Sequence, residues 1–102
     1  MTNGAFFEVM MGAMVTFECQ ASGGGNDMQL NWYFNDILLP NTEVEVKEDA
    51  HGATVLFSQF TIDVVKSSDA GYYLCKVDSP LLNQTVRAPI QLRVASKLFS
   101  TY

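Results

Sequence analysis

The residues able to do covalent or metal chemistry are few and scattered. There is one histidine, His51. A serine nucleophile needs a histidine base and an orienting carboxylate, and His51 sits beside Gly52 in what reads as a hairpin turn, where an imidazole is simply solvated. Glu43, Glu45, Glu48 and Asp49 crowd one stretch. A cation site wants clustered carboxylate, histidine or thiolate ligands on converging elements, and a solvated strand or turn accounts for this run. Gly23-Gly24-Gly25 precedes no helix, so it is no phosphate cradle; it reads as a flexible loop. Cys19 and Cys75 allow one internal bridge, and on spacing alone they serve equally as unrelated buried thiols. Asn83-Gln84-Thr85 has the form of an N-glycosylation acceptor. No catalytic residue, cofactor or metal is expected from this set.

The elements that hold these residues are strands. Val15, Phe17, Cys19 and Ala21 alternate with Thr16, Glu18 and Gln20. Leu30, Trp32 and Phe34 alternate with Asn31, Tyr33 and Asn35. Val44 and Val46 flank Glu45, and Phe60 and Ile62 flank Thr61. Tyr73, Cys75 and Val77 alternate with Tyr72, Leu74 and Lys76, and Ile90, Leu92 and Val94 with Gln91 and Arg93. Period 2 with one buried and one wet face marks half-buried strands. Turn chemistry separates them: Gly12, Asn35-Asp36, Pro40-Asn41, His51-Gly52, the corner at residues 67–71, and Asp78-Ser79-Pro80. An extra edge strand fits residues 37–39. Pro89 has no N–H to donate, which predicts a sheet edge or a bulge there. Helix is confined to a short turn near residues 65–69.

Bulk properties agree. The chain has 102 residues, 48% of them hydrophobic and 17% charged, enough for one folded domain. The formal charge is −5, and no basic cluster points to nucleic acid or an anionic membrane. No run approaches the roughly 18 apolar residues of a membrane span. Met1-Thr2-Asn3-Gly4 lacks the charged and apolar regions of a signal peptide. The expectation is one domain over residues 1–102, with its core about residues 9–94, excised from a larger multidomain protein.

Cys19, Trp32 and the run Asp69-Ala70-Gly71-Tyr72-Tyr73-Leu74-Cys75 lock together. They resemble the strand B cysteine, strand C tryptophan and strand F Asp-x-Gly-x-Tyr-x-Cys of the immunoglobulin superfamily. Trp32-Tyr33-Phe34-Asn35-Asp36 is similar to the corresponding stretch of intermediate (I-set) domains. Arg87-Ala88-Pro89-Ile90-Gln91 lacks the glycine bulge of antigen-receptor variable domains. The resemblance is to an I-set or variable-like domain over residues 9–94. It implies an all-β, Greek-key β-sandwich of two antiparallel sheets. It also implies an inter-sheet disulfide between Cys19 and Cys75, worth roughly 4 kcal/mol on the chain-entropy model. Trp32 is expected to pack on that bridge. Tyr73 is expected to form a tyrosine corner near Asp69, and Gly71 to let the chain turn into strand F.

The same resemblance implies a protein partner, homophilic or heterophilic, and the lone His51 implies no enzyme activity. If Trp32, Tyr73 and Cys75 point inward, then Asn31, Tyr33, Tyr72, Leu74, Lys76, Gln91 and Arg93 point outward on the sheet of strands C, F and G. Tyrosine and arginine suit interface hot spots. A second surface is the loop end, with Pro80, Leu81 and Leu82 at its tip. The leading expectation is a recognition or adhesion module of a cell-surface receptor, adhesion molecule or secreted protein, with Asn83 glycosylated and neighbouring domains in the parent chain. The alternative is a structural I-set domain of an intracellular muscle or cytoskeletal protein, its cysteines reduced.

Overall fold

The computed structural model describes residues 5–96. Both Met1-Thr2-Asn3-Gly4 and the outer limits of the 1–102 domain assignment therefore lie outside the described residues. The strands are Ala5–Met10 (β1), Val15–Ser22 (β2), Gln29–Phe34 (β3), Ile37–Leu38 (β4), Glu45–Glu48 (β5), Thr54–Ile62 (β6), Gly71–Ser79 (β7) and Gln84–Ala95 (β8). They form two sheets, ordered β1-β8-β7-β3-β4 and β2-β6-β5. Strands B, C, F and G of the resemblance are β2, β3, β7 and β8. One pair departs from the all-antiparallel expectation: β1 runs parallel to β8, from Ala5 opposite Ile90 to Met10 opposite Ala95. It fills the free edge of β8 while descending toward the turn into β2, and that direction is the direction of β8.

The alternation in the sequence becomes the core. Val15, Phe17, Leu30, Trp32, Leu56, Tyr73, Cys75, Val77, Ile90 and Leu92 point between the sheets and are buried. Cys19 of β2 and Cys75 of β7 form a disulfide across the sandwich. Phe17 and Phe34 flank Tyr73, their ring centroids 5.0 Å and 4.6 Å from its own, distances at which aromatic pairs attract beyond simple burial. The 3-10 turn Ser67–Asp69 is the one placed near residues 65–69 by the sequence, and a second covers Pro80–Leu82, where only a loop was expected. The preceding loop is also shorter than Asp78-Ser79-Pro80 suggested, because β7 continues through Ser79 opposite Gln84. Val46 departs as well. Its alternation with Glu45 predicts a buried flank like Val44, yet it is 71% exposed, because β5 is an edge strand that meets only β6.

Glycines act here by making room. A Cβ on Gly71 would lie 2.7 Å from Asn35 Oδ1 and 2.9 Å from a ring carbon of Phe34. Gly71 thus lets β7 start against the β3–β4 turn, where its neighbour Tyr72 donates its N–H to Asn35 Oδ1 at 2.9 Å. That turn has two residues, Asn35 and Asp36, both at positive φ (48° and 69°), the geometry that matches strand twist in a tight hairpin. Gly24 and Gly25 also sit at close approach. A Cβ on either would collide, with Met28 on one and with Asp27 on the other.

Tyr73 closes the corner. Its hydroxyl donates to the Asp69 carbonyl oxygen at 2.7 Å. Burial, and then the negative charge of Asp69, push its pKa from 10.0 up to about 12. The phenol therefore keeps its proton in the fold at pH values where the unfolded chain has lost it. Its contribution is fully present below pH 10 and is lost as pH rises through 12. Urea unfolding of the parent chain should show stability falling from pH 10 to 12. Tyr73→Phe should lose about 1 kcal/mol at pH 7 with the hydrogen bond and have a visibly flatter alkaline limb. Parallel alkaline limbs in the two proteins would show that another group titrates.

Candidate functional site

The two outer faces of the sandwich differ in their balance of polar and apolar groups. On β2-β6-β5 the Thr16 and Thr61 hydroxyls lie 3.0 Å apart, Gln59 Nε2 donates to Glu18 Oε2 at 3.0 Å, and the outward Phe57 ring has the Lys47 ammonium 5.5 Å from its centroid. The outer face of β1-β8-β7-β3-β4 carries an apolar row in direct register. Leu38 of β4 stands opposite Tyr33 of β3, Tyr33 opposite Leu74 of β7, and Leu74 opposite Pro89 of β8. Facing positions on neighbouring strands are close enough for their side chains to touch, so the row is continuous across four strands.

Charge flanks it on one side. In the next row Asn31 faces Lys76 and Lys76 faces Arg87. The Lys76 ammonium lies 5.9 Å from the Tyr33 ring centroid, within cation–π range. In the row on the other side of Leu74, Tyr72 is 62% exposed and faces Gln91, which in turn faces Phe6, itself 56% exposed. Arg93 lies a further row away, opposite Glu8 of β1. The face thus carries Lys76, Arg87 and Arg93 against Glu8 and Asp78, within a chain of net charge −5.

Of the surface residues named from sequence, Tyr33, Leu74 and Lys76 come together here. Tyr72 borders them and Arg93 stands apart. Leu38, Pro89, Arg87 and Phe6 were missed. Register supplies the first three, since a two-residue turn puts Leu38 opposite Tyr33. Phe6 was hidden because Phe6-Phe7 and Met10-Met11 blur the alternation of β1.

Pro80, Leu81 and Leu82 form the separate tip of the β7–β8 hairpin, with Leu81 71% and Leu82 48% exposed. Two hydrogen bonds tie the tip to the β2–β3 loop. Leu81 donates its N–H to Asp27 Oδ2 at 2.8 Å, and Gly25 donates its N–H to Ser79 Oγ at 3.2 Å. His51 lies exposed in the β5–β6 turn, its backbone N–H donating to Asp49 Oδ1 at 2.8 Å. Among the described residues no three His, Cys, Asp or Glu side chains converge as metal ligands, and no helix is long and apolar enough to cross a membrane.

No curated protein matches the chain. Solved structures do. An I-band fragment of titin superposes with a TM-score of 0.64 at 16% identity, over 93% of this chain and 31% of that one. A three-Ig titin fragment with an E-to-A change gives 0.62 at 19% identity, over 90% and 30%. A chain of a titin–obscurin-like 1 Ig complex gives 0.64 at 17% identity, over 96% and 93%. The chain therefore spans less than a third of the two titin fragments, and at these identities the likeness is one of fold. The family model for the immunoglobulin I-set domain matches residues 5–94, which takes in the bridge, Trp32, the tyrosine corner and every strand up to Val94, and the chain accordingly belongs to the immunoglobulin I-set family.

Proposed function

We propose that this domain is a protein-docking module of a multidomain chain, and that it docks through the outer face of β8-β7-β3-β4. The observation that carries this is the in-register row Leu38, Tyr33, Leu74 and Pro89 with Lys76 and Arg87 along its side. Aromatic and aliphatic centres edged by cations suit a partner surface with an apolar middle and carboxylates at its margin. The Pro80–Leu82 tip is the weaker candidate, because it offers two leucines without a flanking row.

The face is tested by charge and by volume. Lys76→Glu with Arg87→Glu reverses the flank on exposed or half-exposed positions, and Tyr33→Asp or Leu74→Asp interrupts the row. Self-association by sedimentation velocity and capture of the native partner should weaken at least tenfold in each, with the melting temperature of the charge-reversed protein unchanged. Thr16→Asp on the opposite face should bind like the parent. Undiminished binding by the first set would sink the face.

Two settings suit such a module. The Cys19–Cys75 bridge and the Asn83 acceptor support a cell-surface or secreted recognition protein. The titin and obscurin-like 1 Ig domains among the structural neighbours support a structural domain of a cytoskeletal chain. Thiol titration of the native protein, denatured without reductant, separates them. Two free thiols exclude the first setting, and no titratable thiol counts against the second.

A further inference from the structure

We propose that Asn83 carries an N-linked glycan, acquired before the β7–β8 hairpin closes, and that this glycan screens the Leu81–Leu82 tip from partners. The inference rests on the cell-surface setting. Asn83 caps the Pro80–Leu82 turn in the left-handed region, with φ 50° and ψ 47°, a conformation asparagine tolerates better than most residues. Its backbone N–H donates to the Pro80 carbonyl at 3.0 Å, and the residue is exposed. Gln84, between Asn83 and Thr85, is not proline, so the acceptor triplet is complete. Beside it lies a hollow of about 370 Å³ walled by Gln29, Asp78, Gln84 and Thr85, a polar shelf on which a first sugar can place its hydroxyls and acetamido group.

The order of events follows from Thr85. The acceptor triplet requires the threonine hydroxyl, and in the fold that hydroxyl donates to Asp78 Oδ1 at 2.7 Å. The folded hairpin thus fixes this exposed hydroxyl on Asp78, whereas the unfolded chain leaves it free to meet the transferase. In the transfer, Asn83 Nδ2 displaces the diphosphate of a lipid-linked oligosaccharide. The C1–O bond breaks, a C1–N bond forms, the lipid diphosphate departs and the amide proton passes to solvent. The glycan then stands next to Leu82, whereas Leu74 lies five residues down β7 from Ser79, roughly 17 Å away. The glycan therefore stands nearer the tip than the docking row.

The chain is tested with a secretory leader in cultured animal cells, pooling cells and medium. Intact mass is read before and after peptide N-glycosidase. The parent and Thr85→Ser should lose one glycan, with Asn83 converted to aspartate, while Asn83→Gln and Thr85→Ala should show none. Bacterially produced chain, offered to microsomal transferase and lipid-linked donor, should accept a glycan when reduced and unfolded and at least tenfold less when folded. Equal transfer to both forms would overturn the order of events. An unglycosylated parent with an intact bridge would overturn the glycan and leave the cell-surface setting standing. An unglycosylated parent with two free thiols would remove both.

Discussion

Trp32→Ala should be the most damaging single truncation in the chain, costing about 3–5 kcal/mol in urea unfolding. Trp32 is 0% exposed, so the change removes a large apolar body and leaves a cavity between the sheets. It also breaks a polar link through the core. Trp32 Nε1–H donates to Ser58 Oγ at 2.9 Å, and Ser58 Oγ donates to the Glu43 carbonyl at 2.6 Å. Three segments are thereby tied: β3, β6 and the run that leads into β5. Ser58 is 1% exposed, so Ser58→Ala strands a buried indole N–H and a backbone carbonyl and should cost about 1–3 kcal/mol. Trp32→Phe keeps most of the volume but not the donor. The double variant Trp32→Phe with Ser58→Ala should then cost less than the sum of the two singles, because each removes the same hydrogen bond. Strict additivity would show that the link contributes nothing.

Ser58 also marks the limit of what alternation encodes. In Leu56, Ser58, Phe60 and Ile62, the serine falls on the inward phase of an otherwise apolar alternation. That is a readable signal, because a polar side chain at a core position demands a partner. What could not be read is the partner itself, since Trp32 and Glu43 reach Ser58 only once two sheets are stacked. The central strands were legible from short-range alternation, and the disulfide and the tyrosine corner through the family resemblance that Cys19, Trp32 and the run from Asp69 to Cys75 carry. β1 was not, because its neighbour β8 lies at the far end of the chain and its doubled aromatic and methionine positions mask period 2.

The proposed docking face shows the same division. Which residues of β3 and β7 point outward follows from Trp32, Tyr73 and Cys75 alone. That they form one row with Leu38 and Pro89 depends on register, which only the turn geometry and the paired strands determine. The triple glycine carries two meanings. Glycine signals conformational freedom and close approach alike; Gly23 has a φ of 87° and open space around it, and only the neighbouring Met28, Asp27 and Leu81 show that Gly24 and Gly25 also serve close approach.

Opening the Cys19–Cys75 bridge should lower stability by roughly 4 kcal/mol on the chain-entropy model. The bridge spans 56 residues of sequence and so removes much freedom from the unfolded chain. Domains of this size hold only about 5–15 kcal/mol in all, so the loss is a large share, and the melting temperature should fall by roughly 15–30 °C. Cys19→Ala with Cys75→Ala measures this together with a small packing loss beside Trp32. Reduction of the parent chain, with the thiols then blocked only after unfolding, measures the bridge without that loss. The result also bears on where the module works. A reduced chain that unfolds near 37 °C can serve only where its disulfide persists, outside the reducing cytosol. A reduced chain that keeps its cooperative transition well above 37 °C has enough in Trp32, the Ser58 link and the Tyr73 corner to stand without the bridge, and the cytoskeletal setting then fits it. A fall much smaller than predicted, with the double alanine variant equally stable, would mean that the unfolded chain is already compact around these residues, and the entropic account of this bridge would fail.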